Sequence, residues 1–496
     1  MNVLVNRFRR NGDTLAVSIL IVFMFLFYVC WAFHLPSLFA PDEAMRMDVP
    51  LYIFKHGCLP RGDDPEIINR FWGTSYGFSV YGSSLFAIPF MWASELFGYA
   101  DITSLTFAAR ISNCVLAAIN LVLIYVISKQ LRFSKFASVL SVLLLGMLPQ
   151  YAFLAAYFNS EQLEFLSTSC VIVACLNGKR NCWSYGSCVA VGLSLGLLAL
   201  SYYFAYGAII AAICFFYIDQ ALRLRAGNFS RREKMVELVF KPVVVFVSSM
   251  AVCGWFFIRN AILYNGDFIG MPTSSKTAEK FAVTELKPSN RNTLKSQGYP
   301  FWALFKQPFY GIYWPEWVYK SFIGVFGGMN IFIGETYYFL YSNFLLVGLL
   351  SGVVGALLIC KSKQLSAFLV PPMLMVLIPV VLSIYYSWAS DYQAQGRYVM
   401  AGFGILSLVT ALGFDGLCAG VMVLMRKDSS IEIRHAIQEE IDGSQMMPID
   451  ELRIVYRRNK TVVLLQGLLV LFYIMLFGII VTRVILPSCF GGLVLF

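Results

Sequence analysis

The feature that most constrains this chain is a series of long apolar runs that are nearly free of charge. A helix needs about 20 apolar residues to cross the hydrocarbon core of a bilayer, and such runs have no place on the surface of a soluble protein. Hydrophobic residues make up 58% of the 496 residues, and charged residues make up only 13%. The sequence therefore predicts an all-α polytopic membrane protein.

There are about eleven such runs. The basic residues that flank each run indicate which of its ends faces the cytoplasm. Arg7, Arg9 and Arg10 precede the first run, and the later basic clusters fall on the same side when successive runs alternate direction. We therefore expect a cytoplasmic amino terminus and a periplasmic carboxyl terminus. We interpret the net charge of +10 as a signal of membrane topology rather than as a surface that binds nucleic acid. The runs cover residues 14–33, 103–128, 135–153, 162–176, 185–200, 204–222, 239–257, 337–360, 366–388, 398–425 and 461–485.

One further apolar segment, residues 81–98, contains Pro89 and Glu95. If it crossed the membrane, the next basic cluster would move to the outer side, so we expect it to lie in the interface. The first run is long for a signal peptide and has a poor cleavage site after it, so we expect an uncleaved helix. The predicted organisation is a transmembrane core over 1–425 with outer loops 34–102 and 258–335, a cytoplasmic amphipathic loop over 426–460, and a last transmembrane helix with a short outer tail over 461–496.

The sequence shows no pattern typical of a metal or nucleotide site. Most of the 12 cysteines lie inside apolar runs, where they are expected to act as small packing residues. The 3 histidines are not clustered with cysteines at ligand spacing. Neither a GxxxxGK[ST] motif nor a GxGxxG motif at a strand-to-helix junction is present. We therefore expect no metal and no cofactor.

Two adjacent carboxylates, Asp42 and Glu43, follow the first run directly. A carboxylate at the membrane surface is partly desolvated, which raises its pKa towards the range of a general base. The alternative is that they begin an interfacial helix and complement the positive end of its dipole. The spacing alone leaves both interpretations open.

Several charged residues lie in or beside the predicted spans, near their outer ends. A charge at the centre of a membrane helix costs roughly 2.5–3.5 kcal/mol on insertion scales, so each is a candidate functional residue. Snorkelling to the interface or mutual salt bridging is the alternative for each one. An arginine in a short outer loop also offers a planar fork that suits phosphate oxygens. These residues are Arg110, Glu161, Glu164, Arg259 and Arg397, the last within the polar stretch 391–398.

In their order along the chain, these residues resemble the motifs of the GT-C superfamily of integral-membrane glycosyltransferases, which use polyprenyl-phosphate-linked sugars. The resemblance covers landmarks from about residue 40 to residue 400 and includes enzymes of cell-surface polysaccharide and O-antigen modification. The motifs that carry it are Asp42-Glu43, Ala108-Ala109-Arg110-Ile111, Asn159-Ser160-Glu161, residues 254–267 with Arg259, and Gln395-Gly396-Arg397-Tyr398.

The resemblance implies an inverting glycosyltransferase in the bacterial inner membrane, with its active site facing the periplasm. Asp42 or Glu43 would be the catalytic base, and Arg397, Arg110 and Arg259 would bind the donor phosphate. Asn159, Glu161, Gln395 and Tyr398 would bind substrate. The partners would be a polyprenyl-phosphate-sugar donor, a glycan or lipid-linked glycan acceptor, and membrane lipids.

One departure from the family is Arg46, which stands where many relatives carry a histidine, so metal or histidine assistance is not expected. Two other classes fit a basic polytopic chain. A lipid-linked oligosaccharide flippase or transporter would show internal symmetry and polar residues on both sides of the midplane. An O-antigen polymerase or ligase would not need the acidic pair after the first helix.

Overall fold

The computed structural model describes residues 2–359, 362–425 and 460–490, and this part of the chain is almost entirely helical. The predicted cytoplasmic loop 426–460 lies outside the described residues except for Lys460. The helices are α1 Asn2–His34, α2 Glu43–His56, α3 Gly82–Leu96, α4 Ile102–Gln130, α5 Lys135–Gly146, α6 Pro149–Ala156, α7 Glu161–Arg180, α8 Tyr185–Ala199, α9 Gly207–Ala226, α10 Arg231–Met235, α11 Lys241–Leu263, α12 Met271–Phe281, α13 Trp314–Ile323, α14 Glu335–Ile359, α15 Ser362–Ala389, α16 Phe403–Met425 and α17 Lys460–Ile480. Two short strands, β1 Val325–Phe326 and β2 Ile331–Phe332, pair antiparallel.

Every predicted apolar run coincides with helix, which confirms the all-α, multi-pass class. Within the described residues, eight helices are long and apolar enough to cross a membrane, and the bent pair α5–α6 makes nine. The two other predicted runs coincide with α7, which begins with Glu161 and Glu164, and with α8, which has 15 residues. The count of eleven spans and the orientation of the termini stay predictions. Segment 81–98 contains helix α3, and its interfacial position also stays a prediction.

The bend between α5 and α6 is 59° and lies at the centre of the main apolar core. Pro149 begins α6, and a proline has no N–H to continue the hydrogen-bond ladder of the preceding helix. The helical hydrogen-bond ladder is interrupted at this bend, so the carbonyl groups of residues 144, 146 and 147 are free to accept other donors, and a buried carbonyl needs one. Tyrosine hydroxyls from three different helices donate to them: Tyr28 of α1 to Gly146 at 2.8 Å, Tyr341 of α14 to Met147 at 3.3 Å, and Tyr473 of α17 to Leu144 at 2.9 Å.

Glycines allow two pairs of helices to approach closely. A Cβ atom on Gly413 of α16 would lie 1.8 Å from the carbonyl oxygen of Gly348 of α14. On α8, a Cβ at Gly192 or Gly196 would lie within 2.7 Å of backbone carbonyls of α11. Small residues at such crossings are typical of membrane helices, because close backbone packing replaces the hydrophobic effect that drives association in water.

The segments predicted to lie outside the membrane add the short helices α2 and α3, then α12, α13 and the β1–β2 hairpin. Four chain segments meet next to these short helices and the hairpin. They are the turn that joins α1 to α2, the loop that joins α6 to α7, the 3-10 turn Tyr76–Phe78, and the 3-10 turn Gly396–Gly402 that leads into α16. The polar candidates from the sequence lie at this meeting point.

Candidate active site

The turn after α1 presents Asp42 and Glu43 in different directions. Asp42 precedes α2 with φ 62° and ψ −1°, the left-handed conformation that aspartate tolerates better than most residues. Its side chain is 36% exposed, whereas the side chain of Glu43 is fully buried. The backbone geometry therefore separates two neighbouring carboxylates into an accessible one and an enclosed one.

Glu43 forms a buried, two-pronged ion pair with Arg110. Nε of Arg110 donates to Oε1 of Glu43 at 2.7 Å and Nη2 donates to Oε2 at 2.6 Å, while the backbone N–H of Phe158 also donates to Oε1 at 2.9 Å. The remaining N–H groups of Arg110 donate to the carbonyl groups of Ala32, Leu35 and Pro36. All five guanidinium donors are thus engaged, and the pair ties α4 to the end of α1 and to the start of α2.

Asp42 is instead bound by Arg397, which lies 355 residues later in the sequence. Nη2 of Arg397 donates to Oδ2 of Asp42, and it also lies 3.0 Å from the hydroxyl of Tyr398. Nη1 makes longer contacts, at 3.3 Å to the hydroxyl of Tyr157 and 3.4 Å to the carbonyl of Pro41. The guanidinium is only 3% exposed, so a buried cation is held directly against the accessible carboxylate.

Glu161 brings a second arginine into the same cluster. It is fully buried at the start of α7, and its Oε1 accepts from Nη2 of Arg46 at 3.3 Å and lies 3.6 Å from Nε of Arg397. Arg46 is 3% exposed and lies over the rings of Tyr76 and Tyr202 at 5.0 and 5.3 Å. Two guanidinium groups and two carboxylates therefore share one compact polar region.

Several buried polar atoms of this cluster have no hydrogen-bonding partner among the described residues. They include two nitrogens of Arg46, Nε of Arg397 and one oxygen of Glu161. Both carboxyl oxygens of Glu164 and Oε1 of Gln395 are also buried without a hydrogen-bonding partner among the described residues. Leaving a buried polar group unpaired costs about 1–3 kcal/mol and more for a charged one, so this excess of donors and acceptors suits a polar ligand.

The neighbouring arginines hold the pKa of the Asp42 carboxyl below its usual value. Burial alone would raise this pKa, but the charges of Arg397 and Arg46 outweigh burial, assisted by hydrogen bonds from Arg397 and Tyr76. Asp42 is therefore ionised at neutral pH and is a weak proton acceptor for as long as Arg397 remains bound to it.

Three of the predicted site residues have other contacts. Arg259 donates to the carbonyl groups of Leu59 and Pro60 and to the hydroxyl of Tyr81, which fastens the first outer loop to α11. Asn159 accepts from the N–H groups of Glu161 and Gln162 and thereby caps α7. Tyr398 stacks on Phe204 at 4.8 Å, beside the cluster.

Sequence reasoning assigned no role in binding to Arg46, Tyr76, Tyr157 or Tyr202. Only Arg46 carried a usable signal, because it lies four residues after Asp42 and such residues share a helix face. Within the described part of the chain, no group of three histidine, cysteine, aspartate or glutamate residues has the arrangement of a metal site.

Neither a protein-family model nor a curated protein matches the sequence. Solved structures are similar in fold. An oligosaccharyltransferase from Archaeoglobus fulgidus aligns with 14% identity over 94% of this chain and 55% of its own length, with a TM-score of 0.48. ArnT from Cupriavidus metallidurans, bound to undecaprenyl phosphate, aligns with 12% identity over 95% of this chain and 78% of its own, with a TM-score of 0.49.

The protein O-mannosyltransferase complex Pmt1-Pmt2 of S. cerevisiae, bound to its sugar donor, aligns with 13% identity over 51% of this chain and 34% of its own, with a TM-score of 0.39. This chain spans about half the length of the oligosaccharyltransferase. All three TM-scores lie under 0.5. These structural neighbours are GT-C fold glycosyltransferases.

Proposed function

We propose that the chain is an inverting glycosyltransferase that moves a hexose or pentose from a polyprenyl-phosphate carrier to a glycan or lipid-linked glycan. It would act in the bacterial inner membrane, with its site facing the periplasm, on cell-surface glycans such as O-antigen. The observation that supports this proposal most directly is the contact between Asp42 and Arg397. It joins a candidate base and a candidate phosphate ligand in one cluster.

Asp42 is the base in this proposal, because it is the accessible carboxylate of the cluster. Its side chain is 36% exposed, whereas those of Glu43 and Glu161 are fully buried. Asp42 accepts the proton of an acceptor hydroxyl as that oxygen attacks the anomeric carbon. The bond from the anomeric carbon to the phosphate oxygen breaks, and its electron pair leaves with the polyprenyl phosphate.

Arg397 and Arg46 would bind the phosphate and stabilise the negative charge that develops on it. Both are held in place before any ligand arrives, and both have guanidinium nitrogens that make no hydrogen bond among the described residues. Arg110 has no such nitrogen, so we assign Arg110 and Glu43 to the support of the turn that carries Asp42. Arg259 supports the first outer loop, and Glu161 orients Arg46 and Arg397.

This arrangement couples donor binding to the strength of the base. A donor phosphate competes with Asp42 for the guanidinium of Arg397, since one cation then faces two anions. As Arg397 turns to the phosphate, the pKa of Asp42 rises towards its ordinary value and Asp42 becomes a better proton acceptor. We therefore expect the donor to bind before the acceptor is activated.

The test is to supply hexosyl and pentosyl polyprenyl phosphates to the purified protein in lipid nanodiscs and to detect the product by mass spectrometry. Asp42→Asn should lower transfer by about 10²–10⁴-fold, the usual contribution of a general base. The matched control is Asp63→Asn, because Asp63 lies in the same loop, is also 36% exposed and is also paired with an arginine, Arg61. Its activity should equal that of the wild type.

Other outcomes would support the alternative functions. Transfer that survives Asp42→Asn would reject Asp42 as the base and favour a polymerase or ligase. Movement of the lipid donor across a proteoliposome membrane, without a new glycosidic bond, would favour a flippase.

A further inference from the structure

Helix α2 has a second face that lines a cavity, opposite to the face that carries Arg46. The buried face holds Glu43, Arg46, Pro50 and Ile53. The opposite stripe, at positions 48, 51, 52 and 55, follows the i, i+3, i+4, i+7 spacing of one helix side and lines a cavity of about 370 Å³. We call this cavity the α2 groove. Its lining is Asp48, Leu51, Tyr52, Phe54, Lys55, Glu66 and Ile67, with Ala100, Ile102 and Leu105 at the start of α4.

The polar groups of the α2 groove leave one acceptor available. Lys55 and His56 both bind Glu66, at 2.7 and 2.9 Å, so the charges of Lys55 and Glu66 neutralise each other. Tyr52 donates to Asp64 at 3.0 Å. Asp48 is partly buried and has no hydrogen bond or ion pair within the described residues, and burial raises its pKa to about 6.

These features favour a neutral, hydroxyl-bearing ligand over a phosphate. The only lysine of the lining is already paired, so the α2 groove lacks the free cation that a phosphate needs. An unpaired carboxylate accepts hydrogen bonds from hydroxyl groups, and the apolar side chains around it suit the C–H faces of a sugar ring. The α2 groove therefore differs in charge from the site of Arg46 and Arg397, which contains two guanidinium groups.

The surroundings of the α2 groove suit a molecule that is also attached to a lipid. Leu96, Phe97, Tyr99 and Ile102 are exposed where α3 passes into α4, next to Ala100 of the lining. Exposed apolar and aromatic side chains at the end of a membrane helix are typical of the bilayer interface. A lipid-linked glycan could place its chain there and its sugar in the groove.

We propose that the α2 groove binds the neutral glycan of the acceptor and delivers its hydroxyl to Asp42. This proposal rests on the proposed function and deepens it by naming the acceptor site. Asp48 lies six residues after Asp42, which is about 9 Å along a helix axis, so a short glycan can reach from one to the other. Donor and acceptor then lie on opposite faces of α2 and meet at its amino-terminal end.

The binding test uses dodecyl maltoside that carries a photoreactive diazirine on its sugar, with the full chain in nanodiscs. Labelling should fall on peptides that contain residues 48–67 and 100–105. Ala100→Trp fills the groove and should reduce labelling roughly tenfold, as should Asp48→Asn through the loss of a hydrogen bond to a charged group. The matched control is Ala93→Trp, since Ala93 is an exposed alanine on α3 outside the lining.

Competition identifies what the groove recognises. Competition by free maltose shows that the sugar alone is sufficient, and competition by dodecyl maltoside but not by maltose shows that a lipid-linked glycan is required. Both results support the proposal. Equal labelling of the Ala100→Trp protein, or equal competition by dodecanol, would show a lipid crevice and overturn it.

A kinetic experiment separates this proposal from the proposed function. With a glycan acceptor, Ala100→Trp should raise the KM for that acceptor while the slow hydrolysis of the donor by water stays unchanged. A fall in donor hydrolysis equal to the fall in transfer would overturn the acceptor assignment. If the wild-type protein transfers no sugar at all, the proposed function fails, and photolabelling still decides whether the α2 groove binds a glycan.

Discussion

Replacing Glu43 with glutamine tests whether the two adjacent carboxylates have different roles. Glu43 is fully buried and accepts two hydrogen bonds from Arg110 and one from the backbone of Phe158. Glutamine keeps one acceptor oxygen but turns an amide N–H₂ towards a guanidinium that can only donate. Because the charge of Arg110 then stays buried without its counter-ion, we expect the free energy of unfolding to fall by about 3–5 kcal/mol.

The measurement is unfolding of the purified protein in detergent, followed by intrinsic fluorescence, beside its activity per folded molecule. Asp42→Asn is the comparison. It should lower the free energy of unfolding by less than Glu43→Gln does, because Asp42 is partly exposed and the buried guanidinium of Arg397 keeps the carboxylate of Glu161, 3.6 Å from its Nε, as a counter-ion.

The double variant Glu43→Gln/Arg110→Met should recover part of the loss, since it removes both charges together. A Glu43→Gln protein that is as stable as the wild type but inactive would refute this reasoning. It would show that Glu43, rather than Asp42, acts in the chemistry.

Four further predictions concern the cluster and the helix packing. Arg397→Lys should lower kcat/KM for the donor by about 10²–10³-fold, because one ammonium cannot replace the fork; unchanged donor kinetics would contradict the role of Arg397. Arg46→Gln should move the acidic limb of the pH–activity profile to higher pH, because Arg46 helps to lower the pKa of Asp42; an unshifted limb would show that Arg46 does not act on the base. The same lowered pKa stabilises the folded chain above the unfolded value of about 3.9, and this contribution is lost as the pH falls through the folded pKa, so acid unfolding of Asp42→Asn should lack it. Gly413→Val should destabilise the protein by about 1–3 kcal/mol or more, since its Cβ would overlap the carbonyl of Gly348, and a thermal melt equal to that of the wild type would argue against this contact.

The helices could be predicted from the sequence because apolar length is a local property. Within the described residues, the runs from 14–33 to 461–485 lie mainly on helix, with a break between α5 and α6 in the run 135–153. The bend at Pro149 was not predicted, although a proline inside a run is a signal for one. What the sequence could not reveal is the set of tyrosines that satisfies this bend, because they come from helices that lie far away along the chain.

The candidate site was predictable as a region but not as a set of pairs. Asp42, Glu161 and Arg397 do lie together. Which arginine binds which carboxylate depends on the direction of each side chain after the helices have packed. The left-handed turn at Asp42 sends Asp42 and Glu43 to different partners, and charge spacing carries no information about that turn.

The tyrosines around the bend of α5 and α6 have a consequence for the biogenesis of the protein. Tyr473 lies 329 residues after Leu144, whose carbonyl it satisfies, so this bond forms only when α17 has entered the bilayer. Until then a polar carbonyl faces hydrocarbon without a donor, which is costly in lipid. Ribosome-bound chains that stop before α17 should therefore be trapped in a loosely packed, protease-sensitive intermediate, and release of the complete chain should close it.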